Sequence, residues 1–134
     1  MIGDPPVVVA VKDDCSTGFA QIFARTAIRA HNWKVFNSYS TGALADESDW
    51  HDVWSFWQRL HGSDEQNLAA VPGVLLWGAE DVGVTGPPRL TYTPTEVEQI
   101  LARYNGTGPA AAAYGAEVKG IYDLFEARNL AMRT

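Results

Sequence analysis

One cysteine in 134 residues is a scarcity that removes whole classes of protein at the outset. A single thiol closes no internal disulfide and completes no cysteine-rich zinc site, so a secreted disulfide scaffold is excluded. What remains for Cys15 is a free thiol, a metal ligand or an intermolecular bridge. Positive charge is also short: ten Lys and Arg stand against sixteen Asp and Glu, a net charge of −6 at pH 7. Such a balance repels polyanions, so neither nucleic acid nor an anionic membrane surface is an expected partner. No run approaches 18 apolar residues and no basic-then-apolar leader opens the chain, so a cytoplasmic location is expected. His31, His51 and His61 have no metal spacing, the glycines form no phosphate loop, and no serine sits in a nucleophile elbow, so no metal and no nucleotide is expected.

The length is that of one domain, residues 1–134, able to bury a real core. Val7 to Val11 is a β-branched apolar run, the pattern of a central strand buried on both faces. From Gly18, the residues Phe19, Ile22, Phe23, Ala27 and Ala30 take helical spacing to His31, with Ser16 or Thr17 as N-cap. Trp33 to Tyr39 reads as a second strand, completing a βαβ unit. Asp49 to His61, with Ser48 or Asp46 as its cap, carries Trp50, Val53, Trp54, Trp57 and Leu60 on one face of an amphipathic helix. Its leading carboxylates, Asp46, Glu47, Asp49 and Asp52, suit a helix N-terminus, and its tryptophan stripe suits a core.

Val74 to Trp77 reads as a third strand introduced by Pro72, and Arg89 to Tyr92 as an edge strand guarded by Pro87 and Pro88. Thr93-Pro94-Thr95-Glu96 is a capping box with proline at N1, opening a helix that Asn105-Gly106 ends. From Thr107 a last helix runs through Val118, Ile121, Tyr122 and Phe125, weakened by Gly115 and Gly120. It either packs on the domain or binds a partner.

The order β-α-β-α-β-β-α, with the segments VVVAVKDDC, NLAAVPGVLLWG and RLTYTPTEVEQIL, resembles the thioredoxin-like superfamily. The closest likeness is to its small cytosolic Clot-type, thioredoxin-domain-containing proteins. The resemblance covers about residues 7–104 and leaves 107–134 as a helical extension. It implies an α/β thioredoxin-like fold with a central mixed sheet of about four strands flanked by helices. It also implies a thiol-dependent oxidoreductase or thiol-transfer protein with Cys15 as nucleophile. The N–H groups of Ser16, Thr17 and Gly18 would stabilise thiolate, and Val71 and a cis Pro72 would form the substrate platform beside it.

Where the family has C-x-x-C, this chain has Cys15-Ser16-Thr17-Gly18. With no resolving cysteine, a mixed disulfide at Cys15 needs an external thiol such as glutathione as co-substrate. Asp14 opposes the thiolate that a helix N-terminus favours. The expected partner is a protein or small-molecule thiol or disulfide. The alternative is a redox-inactive thioredoxin-fold interaction module using the old groove and the last helix. A doubly wound α/β protein with a small-molecule site is the fallback fold.

Overall fold

The computed structural model describes residues 16–133. Cys15 and the expected first strand, Val7 to Val11, lie outside the described residues. The described residues form a two-stranded hairpin, β1 (Ser16–Thr17) and β2 (Ile22–Phe23), and five helices. These are α1 (Ala24–Phe36), α2 (Trp50–Gly62), α3 (Asp64–Asp81), α4 (Pro94–Asn105) and α5 (Gly108–Arg133). The chain gathers into two compact units, one ending at Trp77 and the next beginning at Gly78, a division that falls within α3.

This corrects the expected fold. The described residues are mostly helical, and their sheet has two antiparallel strands rather than a thioredoxin-like central sheet of about four. Ser16 and Thr17 cap no helix: they are strand, and α1 starts at Ala24 after Phe23. Trp33 to Phe36 is the last turn of α1. The chain then reverses through Ser38, at φ +62°, bringing Tyr39 onto Trp33 with ring centroids 5.4 Å apart. Val74 to Trp77 is helical within α3, because a four-residue apolar run has no period of its own and takes that of its flanks. Arg89 to Tyr92 forms no strand: Arg89 stacks over the Tyr92 ring at 4.3 Å and bonds Glu96 at 2.7 Å. Pro72 sits inside α3, and the described residues contain no cis peptide bond.

In the first unit, α1 and α2 bury Ala24, Ile28 and Val53 against each other, with Ala45, Phe56 and Trp57 closing the edges. The connecting loop is tied to α1 rather than left to solvent. Asn32 exchanges two hydrogen bonds with the backbone of Ala45, at 2.8 and 2.9 Å, and Arg29 grips the Glu47 carboxylate with bonds of 2.6 and 3.0 Å. Asp49, rather than the expected Ser48 or Asp46, then caps α2 by accepting from the His51 amide at 2.9 Å. The acidic cluster is thus helix-terminal, as its sequence implies.

In the second unit the capping box is formed in full. Thr93 accepts from the Glu96 amide, and Glu96 accepts from the Thr93 amide. The α4 helix closes on Gly106, at φ +140°, and the short connection through Thr107 turns the chain back into α5. Ala111 and Gly115 of α5 are buried against α4. Gly115 is a contact glycine and no defect: a Cβ there would lie 2.6 Å from Ala102 Cβ and 2.8 Å from its Cα. Burial against α5 also pushes the Tyr104 phenol up to about 12, with Tyr114 adding to the shift.

Candidate functional site

The segment that follows Cys15 in the sequence is the hairpin of β1 and β2, and it is shaped by backbone that favours glycine. Gly18 has φ +73° and Gln21 φ +50°, and the Gln21 side chain donates to the Gly18 carbonyl at 2.8 Å. The Ser16 hydroxyl donates to the Gln21 side chain at 3.0 Å. Ser16 and Gly18 are therefore engaged in closing their own turn. Their backbone does not form a helix N-terminus, so the helix-end stabilisation expected for a neighbouring thiolate is not what these residues supply.

One residue fixes the hairpin to the helices. Asn67 is fully buried and uses its whole amide: Oδ1 accepts from the Ala20 amide at 2.9 Å, while Nδ2 donates to the Thr17 carbonyl at 2.8 Å and the Leu60 carbonyl at 3.3 Å. It reaches that position because Ser63 alone separates α2 from α3. The Ser63 hydroxyl accepts from the Gln66 amide at 3.1 Å and starts α3 at a sharp corner. The same corner presents His61, whose Nδ1 lies 2.9 Å from the Thr17 hydroxyl.

His61 also ends a column of rings along α2. Its imidazole stacks on Trp57 at 4.5 Å, and Trp57 stacks on Trp54 at 5.3 Å, each pair within about 11° of parallel. The tryptophan stripe is thus core at Trp57 and surface at Trp50 and Trp54, which are 40% and 43% exposed.

Val71 and Pro72 sit one turn beyond Asn67 on α3, Val71 half-buried and Pro72 exposed. A proline inside a helix offers no amide, and the extended backbone that a substrate platform requires is absent at both residues. On α3, the contact with the hairpin is made by Asn67. Sequence reasoning missed Asn67 because its partners are remote, and placed His61 only as a helix-end residue. Among the described residues no cluster of His, Cys, Asp and Glu is arranged to hold a metal, and no helix is long and apolar enough to cross a membrane.

The other candidate surface is the far half of α5. This helix has 26 residues and α4 only 12, so by rise per residue α5 is about 39 Å long against about 18 Å. Beyond Gly120 it runs past the helix it packs on. Ile121, Leu124, Phe125 and Met132 stand there 50%, 73%, 68% and 80% exposed. Comparison of the chain with protein-family models, curated proteins and solved structures finds no match.

Proposed function

We propose that the chain is a helical protein-interaction module whose contact surface is the far half of α5. The observation that carries this reading is the apolar face at Ile121, Leu124, Phe125 and Met132, left uncovered by the helix that α5 packs against. Exposed apolar residues scattered singly are ordinary, but four at helical spacing on one face are what a helix offers to a groove or to another helix. A photo-activated crosslinker placed at Phe125, with the exposed Gln58 as control, tests it in cells of the chain's own source. Discrete adducts from position 125 and none from position 58 are expected. Equal labelling from both sites would defeat the reading.

Thiol transfer by Cys15, with an external thiol such as glutathione resolving the mixed disulfide, is a second reading. The observation in its favour is His61, whose ring is bonded to Thr17, two residues after Cys15 in the chain. The pH dependence of Cys15 alkylation tests it: a midpoint well below 8 supports a tuned thiol, whereas one near the ordinary value of about 8.5 counts against it.

A further inference from the structure

We propose that the partner of the far half of α5 is a second copy of the same chain, paired antiparallel along Ile121, Phe125, Arg128 and Met132. This rests on the interaction-module reading and names the occupant of its surface. The four residues are spaced 4, 3 and 4 apart, the alternation that keeps one seam facing a partner helix. Three of them are apolar and exposed, and the seam is interrupted by one cation, Arg128.

That cation selects the occupant and the direction. A parallel copy would set Arg128 against Arg128 in the middle of the seam, which is repulsive. An antiparallel copy sets Arg128 across from Phe125 of the second copy, and Ile121 across from Met132 of the second copy. A guanidinium over an aromatic ring is attractive, more so when water is excluded, so the residue that breaks the apolar seam finds its complement in the seam itself.

The charges beside the seam agree. Residues 117–133 hold three acids, Glu117, Asp123 and Glu126, and three bases, Lys119, Arg128 and Arg133, so the segment is neutral in a chain of net charge −6. A second copy therefore meets no local repulsion here. The acids lead and two of the bases trail, so antiparallel pairing brings Arg133 of the second copy level with Gly120. That position is within one turn of both Glu117 and Asp123. Gly120 has open space where a Cβ would stand, leaving room for a long side chain to lie across. Lys119 is already held by Asp123 at 2.6 Å on the same helix. The interface is isologous and closes as a dimer. Four seam residues per copy make it a small one, so the association is reversible and dependent on concentration.

Sedimentation velocity on the full chain, from low micromolar to near-millimolar concentration, tests the pairing. The wild type is expected to pass from monomer to dimer. Phe125→Asp should remain monomeric with an unchanged far-ultraviolet circular dichroism spectrum, and Arg128→Glu should weaken the dimer by at least about tenfold. Direction is read from an equimolar mixture of Phe125→Cys and Arg128→Cys chains, each also carrying Cys15→Ser, under mild oxidation. Predominant 125-to-128 disulfides support the antiparallel pair, and predominant 128-to-128 disulfides overturn it. A wild type that is monomeric throughout overturns the second copy as partner. In that event, crosslinks from Phe125 to a protein of another mass would leave the interaction reading standing, and their absence would remove it too.

Discussion

The side-chain amide of Asn67 occupies the space that a Cβ on Gly18 would need. The two residues are 49 positions apart in the chain, yet each requires the other to be what it is. Gly18 leaves room for the amide, and the amide holds the Thr17 carbonyl and the Ala20 amide on either side of Gly18. This contact fixes the segment that follows Cys15 against the corner between α2 and α3.

Substituting Gly18→Ala should therefore cost more than backbone strain. A non-glycine residue at φ +73° loses about 1 kcal/mol or somewhat more, and displacement of Asn67 adds the loss of its buried hydrogen bonds. Gly83→Ala is the control, because Gly83 has φ +86° but nothing within 4 Å of its Cβ position. In urea titrations the Gly18 variant should lose at least twice the stability that the Gly83 variant loses. Equal losses would mean that Asn67 moves aside without penalty.

Removing the amide tests the same contact from the other side. Asn67→Ala strands the Thr17 and Leu60 carbonyls and the Ala20 amide, and at about 1–3 kcal/mol for each unsatisfied buried group a loss of at least about 3 kcal/mol is expected. Asn67→Asp should do worse at neutral pH, since a carboxylate replaces the donor facing two carbonyls. Its folded pKa is then raised above the unfolded value of about 3.9, so the deficit of this variant relative to wild type is smallest in acid and grows as pH rises. Faster exchange of the Ala20 amide with solvent, read by hydrogen exchange, should accompany both changes.

What could be read from the sequence is what depends on near neighbours. Thr93 to Glu96 declared a capping box because both bonds lie within four residues, whereas the cap of α2, expected at Ser48 or Asp46, falls on Asp49, since Asp46 and Ser48 bond to each other instead. The alternation of Trp50, Val53, Trp54 and Trp57 is long enough to show a helical period. Val74 to Trp77 is not, and Pro72 before it suggested a strand start where the structure continues a helix. Trp33 to Tyr39 has strand-favouring residues, but its first half completes α1 and its second half folds back through Ser38. Asn67 gave no sign of its role, because the Thr17 carbonyl that it binds lies 50 positions away. The alanine-rich start of α5 looked weakened by Gly115, whose use appears only when Ala102 is brought against it.

Acid should destabilise the first unit through Glu47. A hydrogen bond from Arg29, with the charges of Arg29 and Arg25 behind it, holds the Glu47 carboxyl below its ordinary value of 4.5. A carboxyl with a depressed folded pKa adds stability above its unfolded value and loses it as pH falls through the folded one. Asp49, held down by bonds from His51, and Glu96, held down by bonds from Thr93, act in the same direction. The Arg29–Glu47 pair is partly exposed, so its contribution is under about 1 kcal/mol. Glu47→Gln should lower the melting temperature slightly at pH 7 and flatten its decline below pH 4.5. An unchanged slope in acid would show that the pair does not couple to folding.

Two glycine-to-alanine changes in α5 should move stability in opposite directions. Alanine is favoured over glycine inside a helix by about 1 kcal/mol, and at Gly120, where the added methyl meets open space, that gain should appear almost whole. At Gly115 the methyl would lie 2.6 Å from Ala102 Cβ and 2.8 Å from its backbone, which no side-chain rotation relieves. Overpacking of this kind costs about 1–3 kcal/mol, more than the helical gain, so α4 and α5 must separate. Gly115→Ala should unfold at lower temperature than wild type and Gly120→Ala at higher, each followed by circular dichroism. The experiment is run at a concentration where the chain is monomeric, so that only the folding of each variant is compared. Stabilisation by both changes would show that the α4–α5 crossing is looser than the Gly115–Ala102 contact requires.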